Sequence, residues 1–201
     1  MPRKVFRTLP SSSPQVRGIQ RHNLFQLCLG KAFQTVADFS KNKVRGLSRE
    51  FVSTLKSLTA GCHPTTPVYV FKEVAVNRLT KQSRRADAII YIPKCRIIYI
   101  EYKTIEQDGV VGDNPNVHKT QLNETLENII INISYHMSKE EETVDGLLPI
   151  TPLLVSRRFW RNKTKDDVIT RVSHDNMCVR EPVNPARMTK ILSSMGRPLF
   201  K

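Results

Sequence analysis

The sequence predicts an α/β fold in which helices flank a mixed central sheet. Segment 85–104 contains two runs rich in β-branched and aromatic residues, with Pro93, Lys94 and Cys95 between them, which indicates a β-hairpin. Its apolar residues run continuously instead of alternating, so both faces of the hairpin are expected to be buried, as in the centre of an α/β sheet. Apolar residues at helical spacing precede and follow it, and 201 residues suffice for one domain with tails.

Two helices and a strand are predicted before the hairpin. Apolar residues recur at helical spacing over 22–39, and a second helix fits 48–59, with Ser48 as its N-terminal cap. The apolar run 68–76 predicts a strand, and Glu73 is the acid within it. A glutamate in such a run lies at an edge of the sheet or is paired with another group, because burying a lone charge is costly.

A long helix and two strands are predicted after the hairpin. A stripe of large apolar side chains predicts a helix over 116–137, with Gln121 in its early turns. A short strand within 149–159 is expected to pair with the 97–103 strand through a right-handed crossover. The run 168–172 is expected to form an edge strand.

The two ends of the chain differ in composition from the middle. Residues 1–21 contain five cations, no acid and a proline- and serine-rich run, which predicts a flexible basic tail. Such a tail suits a nuclear address or a nucleic-acid arm, or it serves only as a solubilising extension. Residues 185–201 are predicted to form a short basic helix and tail, which leaves 22–184 as the expected folded domain.

The charge of the chain is strongly unbalanced. There are 32 Lys and Arg residues against 18 Asp and Glu, giving a formal net charge of +14. Such an excess predicts attraction to polyanions, with nucleic acid first and acidic membranes second. No apolar run approaches the ~18 residues that a membrane-spanning helix needs, so we expect no membrane span.

The four cysteines are scattered, at positions 28, 62, 95 and 178. Since no signal peptide precedes them, we expect a reducing intracellular compartment with free thiols. His22, Cys28, Cys62 and His63 could together form a zinc site, but their spacing matches none of the usual zinc patterns.

Three charged residues stand out against the apolar hairpin: Asp87, Glu101 and Lys103. Side chains alternate along a strand, so Glu101 and Lys103 share a face. With a three-residue loop, Ile92 pairs with Arg96 and Asp87 comes opposite Glu101. A two-residue loop would shift the register by one residue and send Asp87 to the other face.

In the first register, Asp87 and Glu101 repel each other. Their Cβ atoms would be roughly 5 Å apart, and at an effective dielectric constant of about 20 the repulsion is on the order of 3 kcal/mol. A divalent cation such as Mg²⁺ is the simplest compensation, because one or two carboxylates hold it together with waters. The alternative is that strand ends carry ordinary charges and that Glu101 and Lys103 form a surface pair.

These three positions resemble the active-site signature of the PD-(D/E)xK nuclease superfamily, with Ala86 where proline usually precedes the aspartate. More closely, the chain resembles the herpesvirus nuclear protein family named for the unique-long twenty-four gene, specifically over 66–126 and more loosely over 20–65 and 147–173. The residues that carry this resemblance are Phe71, Lys72, Glu73, Val74, Arg85, Ala86, Asp87, Ile100, Glu101, Tyr102, Lys103, Thr104, Lys119, Thr120, Gln121 and Leu122.

The resemblance implies a restriction-endonuclease-like αβββαβ core and metal-dependent phosphodiester hydrolysis. Asp87 and Glu101 would be the metal ligands for Mg²⁺ or Mn²⁺, and Lys103 would orient or deprotonate a bound water. Glu73 would lie beside the site, and Gln121 would approach the metal and the scissile phosphate. An exposed polar role for Gln121 stays open.

A group of cations is predicted to bind the nucleic-acid backbone. The connection before Asp87 carries four of them, which suits a phosphate clamp, although a solvated loop is an equally simple interpretation. By the resemblance, a fifth cation on the long helix would contact phosphate. These residues are Arg78, Lys81, Arg84, Arg85 and Lys119.

The resemblance also implies a cellular role. The family is associated with the host nucleus and nucleolus, the cytoplasm and the virion, with dispersal of nucleolar proteins, and with cell-cycle arrest at G2/M. Expected partners are nucleic acid, with DNA preferred over RNA, and host nuclear or nucleolar proteins. The alternative function is an interaction factor that keeps a nuclease-like fold without meaningful turnover.

Overall fold

The structure is a computed structural model that describes residues 14–41, 43–76, 84–106, 115–138, 143–160, 163–171 and 177–195. Four α-helices and six strands lie in these ranges, with a short 3₁₀ helix at Val36–Ser40. The helices are α1 (Pro14–Ala32), α2 (Arg49–Leu58), α3 (Pro115–Ser138) and α4 (Pro185–Ser194). The strands are β1 (Tyr69–Val76), β2 (Arg84–Ile92), β3 (Arg96–Glu106), β4 (Val144–Trp160), β5 (Lys163–Arg171) and β6 (Cys178–Pro182).

The strands form one mixed sheet with the order β1-β2-β3-β4-β5, and β6 pairs with the first part of β4. Only the β3–β4 pair is parallel among the described strands. A parallel pair needs a crossover connection, and α3 lies in that connection. The predicted α/β class with a mixed sheet and flanking helices is therefore confirmed, as is the pairing of the 97–103 strand with the strand within 149–159.

The central hairpin of β2 and β3 is buried on both faces, as the unbroken apolar run predicts. Ile89 and Tyr91 face one core, which also contains side chains from α3 and α4. Ile90 and Ile92 face the other core, which α1, the 3₁₀ helix and α2 complete. Each fully buried isoleucine contributes about 1.5–3 kcal/mol of transfer free energy, so the hairpin anchors both layers.

The hairpin turn sets the register that positions the charged residues. Ile92 pairs with Arg96, which confirms the three-residue turn. Lys94 adopts a positive φ of 57° in this turn, and its backbone N–H donates to the buried carboxylate of Glu181 at 3.0 and 3.2 Å.

The pairing of the two strands ends at Ala88 and Ile100, one residue before Asp87 and Glu101. Asp87 contacts His22 on α1 whereas Glu101 contacts Gln121 on α3, so the expected placement of the two carboxylates on one face is not observed.

The N-terminal end of the described chain departs from the prediction, whereas the C-terminal end contains the short helix that the sequence predicts. Helix α1 begins at Pro14, inside the stretch 1–21 that was predicted as a flexible tail. Helix α4 begins with Asn184 as its cap, whose side chain accepts from the amide of Ala186. Its apolar residues recur at helical spacing and pack into the same core as those of α3. They are Met188, Ile191 and Leu192, followed by Met195.

The prediction that all four cysteines are free thiols is wrong for two of them. Cys62 and Cys95 form a disulfide that joins the turn after α2 to the turn of the central hairpin. Cys28 and Cys178 are free. The scattered spacing hides this pair, because only the docking of α2 on the sheet brings the two turns together.

The structure also bears on the expectation about membranes. Within the described part of the chain, every helix is too short or too polar to serve as a membrane span.

Candidate functional site

The site is built around Asp87, at the point where two neighbouring strands diverge. The pairing of β2 with β3 runs from the turn as far as Ala88 and Ile100. Beyond that point β2 continues beside β1 alone, as far as Arg84. The carboxylate of Asp87 occupies the divergence, and its Oδ2 accepts a 2.7 Å hydrogen bond from the backbone N–H of Tyr102. The Asp87 carboxylate thus takes the place of the β2 backbone as hydrogen-bond acceptor for this amide, and the bond holds the carboxylate in one position.

His22, on α1, contacts the carboxylate of Asp87. Its Nε2 lies 2.8 Å from Asp87 Oδ1, and its Nδ1 lies 3.6 Å from Glu73 Oε1. The hydrogen bond to Asp87 raises the pKa of His22 above its usual value, and the nearby charges of Asp87, Glu73 and Glu101 act in the same direction against the effect of burial. The three carboxylates therefore favour the protonated form of the His22 imidazole.

Glu73 reaches the same place from β1 by an unusual backbone conformation. Its φ is +50°, in the left-handed region that side-chain-bearing residues rarely adopt. The side-chain amide of the buried Gln26 donates to Glu73 Oε1 at 2.6 Å and to the carbonyl oxygen of Asp87 at 3.0 Å. Strain of this kind persists where the surroundings hold it, and it is concentrated at functional sites.

His22, Glu73 and Asp87 form a candidate metal site. One ligand atom from each residue lies within 4.8 Å of the other two. A ring nitrogen with two carboxylate oxygens is a suitable donor set for a divalent transition metal, since imidazole suits such ions better than Mg²⁺. The predicted metal ligand Asp87 thus belongs to a ligand group, whereas Glu101 stands outside this three-residue set within the described residues.

Glu101 and Lys103 lie together, as their spacing on one strand predicts. Glu101 is only 2 % exposed, and its Oε1 is 2.7 Å from Lys103 Nζ. Gln121, from α3, donates to the same oxygen at 3.1 Å, and the Tyr99 hydroxyl donates to Oε2 at 2.9 Å. The predicted association of Glu101, Lys103 and Gln121 is therefore present in the structure, with Gln121 in contact with a site residue.

Burial governs the titration of Glu101. Removal from water raises the pKa of this carboxyl group, and the charge of Asp87 raises it further. The cation of Lys103 and the hydrogen bonds from Lys103 and Tyr99 oppose both effects. Electrostatic coupling therefore joins the Glu101 pair to Asp87, and through it to the candidate metal site.

The predicted phosphate clamp is only partly described. Arg84 pairs with Glu124 on α3, and Arg85 Nη1 lies 3.7 Å from Glu73 Oε2, so each has a carboxylate partner. Lys119 is exposed near the start of α3. The other two members of the predicted clamp, Arg78 and Lys81, lie outside the described residues.

Sequence reasoning missed His22 and Gln26 as site residues. A signal was present, because the two polar residues are four apart and so share one face of a helix. Their neighbours Phe25 and Leu29 are fully buried, which turns this side of α1 toward the sheet. The aromatic ring of Phe25 stacks on Tyr102 with a centroid distance of 4.3 Å and thereby fixes where α1 docks.

The chain was compared with protein-family models, with curated proteins and with solved structures, and none of the three comparisons gave a match. The chemistry of the site is therefore inferred from its own geometry.

Proposed function

We propose that this protein is a metal-dependent nuclease with a restriction-endonuclease-like core of the PD-(D/E)xK type. The observation that carries the proposal is the convergence of His22, Glu73 and Asp87 within 4.8 Å, together with the ion pair between the buried Glu101 and the partly exposed Lys103. The order of helix, three antiparallel strands, helix and parallel strand supports the same assignment.

Each residue of the site has a separate proposed role in phosphodiester hydrolysis. Asp87, with Glu73 and His22, would hold the cation, which when bound supplies charge stabilisation to the phosphate and lowers the pKa of a coordinated water. Lys103 is a quarter exposed and fixed by Glu101, so its ammonium group can neutralise developing charge on a phosphate oxygen. Gln121 orients Glu101 from the side of α3.

The donor set favours Mn²⁺ over Mg²⁺. A site of carboxylates and water suits both ions, but a histidine nitrogen suits Mn²⁺ better because Mg²⁺ demands oxygen ligands. In this arrangement the main role of Glu101 is to hold the ammonium group of Lys103. The sequence predicts Glu101 as a metal ligand, and for that role its side chain would have to break the ion pair with Lys103. The cofactor proposal is thus a divalent cation, with Mn²⁺ the better activator.

The proposed substrate is nucleic acid, with DNA preferred over RNA. The net charge of +14 favours polyanions and makes binding sensitive to salt. By resemblance to the herpesvirus nuclear protein family, we place its action in the host nucleus and nucleolus, where dispersal of nucleolar proteins and arrest at G2/M would follow from it.

A cleavage assay tests this proposal. Plasmid DNA and a structured RNA are incubated with the protein in Mn²⁺, in Mg²⁺ and in excess chelator. We expect Mn²⁺-dependent cleavage that is lost in Lys103→Ala and Glu101→Ala but kept in Lys190→Ala, which changes an exposed lysine on α4. Full cleavage by both site variants would overturn the assignment.

One observation favours a second candidate function, that of a nuclear interaction factor with little or no turnover. The acids of the site already have protein partners, since His22 and Tyr102 contact Asp87 while Lys103 contacts Glu101. Such a cluster is stable without a cation. Calorimetric titration separates the two functions: Mn²⁺ binding that disappears in Asp87→Asn supports the nuclease, and no binding at millimolar Mn²⁺ supports the interaction factor.

A further inference from the structure

A cavity of about 220 Å³ lies between the 3₁₀ helix and α2, and no residue of the candidate metal site lines it. Its wall contains the cations Lys41, Lys43, Arg49 and Lys56, and none of the described residues contributes an acidic side chain to it. The hydroxyl-bearing residue Ser48 is also part of the wall. The lining is therefore positively charged and rich in hydrogen-bond donors.

One of the four cations has an acidic partner. Lys41 Nζ lies 2.8 Å from Asp38 Oδ1, and this contact, with hydrogen bonds from the amides of Gln34 and Thr35, lowers the pKa of Asp38 to about 2. Asp38 is thus ionised and committed to Lys41, outside the cavity wall.

The other three cations, Lys43, Arg49 and Lys56, have no acidic partner within ion-pairing distance among the described residues. All three are exposed to solvent, and all three line the cavity. Three like charges around one concave surface create a positive potential that attracts an anion.

The start of α2 adds to this potential. Ser48 caps the helix, with its Oγ accepting from the amide of Phe51 at 3.1 Å. The preceding amides, of Arg49 and Glu50, belong to the first turn and have no acceptor within the helix. This end of α2 carries a partial positive charge, which the carboxylate of Glu50 in the first turn partly offsets, and its free amides can still donate to an anion.

We propose that the cavity between the 3₁₀ helix and α2 binds a phosphate-bearing anion through Lys43, Arg49, Lys56 and the N-terminus of α2. Its volume equals that of roughly seven waters at about 30 Å³ each, which is room for one or two phosphoryl groups. Arg49 supplies the planar donor pair that matches two phosphate oxygens. The phosphoryl group belongs either to a nucleic-acid backbone or to a free phosphorylated small molecule, and the two share this chemistry.

Calorimetric titration with inorganic pyrophosphate tests the proposal. The titration is done in excess chelator, so that the candidate metal site contributes nothing and failure of the nuclease proposal leaves the result intact. We expect the double variant Arg49→Ala and Lys56→Ala to weaken pyrophosphate binding at least tenfold. The matched double variant Lys31→Ala and Arg45→Ala, which removes two cations beside a different depression, should change it less than twofold.

A competition experiment identifies the source of the phosphoryl group. Displacement of pyrophosphate by a short DNA duplex in the wild type, with DNA affinity reduced in the first double variant, assigns a nucleic-acid backbone. Unchanged DNA affinity together with lost pyrophosphate binding assigns a small phosphorylated molecule. Wild-type protein that does not bind millimolar pyrophosphate, or a variant that binds as the wild type does, would overturn the proposal. Lys43→Glu gives the same test if the double variant does not fold.

Discussion

The imidazole Nε2 of His22 lies 2.8 Å from Oδ1 of Asp87, so a helix at the start of the described chain and a strand at the centre of the sheet share one site. His22 is the nitrogen ligand of the candidate metal site. His22→Gln removes that ligand, and since changes even outside the ligand shell cost about 10–100-fold in metal affinity, we expect at least about a tenfold weaker affinity for Mn²⁺.

Calorimetry at pH 7.5 measures this loss. The control is His63→Gln, which changes an exposed histidine whose Nδ1 contacts Thr65. Equal affinity for Mn²⁺ in the wild type and His22→Gln would show that the imidazole is not a ligand.

Asp87 is expected to matter for stability as well as for metal binding. Its Oδ2 accepts from the backbone amide of Tyr102, and Asp87→Ala removes that acceptor from a mostly buried donor. Loss of such a partner costs about 1–3 kcal/mol, whereas Asp87→Asn keeps an oxygen in place. Urea denaturation without metal should therefore rank the free energy of unfolding of Asp87→Ala below that of Asp87→Asn. Equal free energies of unfolding for the two variants would mean that the hydrogen bond from Tyr102 to Asp87 does not stabilise the fold.

The stability of a Lys103→Met variant should depend on pH. This change leaves the buried carboxylate of Glu101 without its cation, at a cost of about 2–3 kcal/mol, less than for a fully buried pair because Lys103 is partly exposed. Burial and Asp87 already hold the pKa of Glu101 above its usual value, and loss of the cation raises it further. A carboxyl group whose folded pKa is raised destabilises the fold once pH exceeds its unfolded pKa, and the cost grows until pH passes the folded pKa.

The difference between the wild type and Lys103→Met in free energy of unfolding should therefore be larger at pH 7.5 than at pH 4.5. Lys190→Met on α4 serves as a control, with no change expected at either pH. A difference independent of pH would indicate lost packing of the lysine stem and not lost charge compensation.

The disulfide between Cys62 and Cys95 should be a main contributor to stability. It joins residues 33 positions apart, and the chain-entropy model assigns about 3–4 kcal/mol to a loop of that length. Thermal or urea denaturation of Cys62→Ser should show this loss, and a reducing agent should produce the same loss in the wild type. Cys178→Ser, at a free cysteine, should behave as the wild type does. Unchanged stability on reduction would contradict the prediction.

The sequence was most informative where local geometry decides the outcome. Strand alternation is a local property, and it was enough to predict the shared face of Glu101 and Lys103. Loop length limited the hairpin register to two choices, and the structure has the one in which Ile92 pairs with Arg96. His22 and Cys62 were not predicted as partners of the sheet, because their positions depend on how α1 and α2 dock. Docking is decided by aromatic and aliphatic packing, which leaves only a general apolar pattern in the sequence.

The short strand β6 shows the same limit. It holds only five residues, yet Glu181 within it accepts from the Tyr91 hydroxyl at 2.8 Å and from the hairpin turn. A strand of five residues is too short to show a clear alternation of apolar and polar residues in the sequence. Its stability comes from pairing with β4.

His22 on α1 belongs to the candidate metal site, so ion binding there would depend on the docking of this helix. The helix is attached through Phe25 and Leu29, and a terminal element can open at a lower free energy than the whole fold. An ion bound at the site would stabilise the docked form by mass action, so backbone amides of α1 should exchange with deuterium more slowly in its presence. By the same reciprocity, whatever detaches this helix would release the ion while leaving the sheet intact.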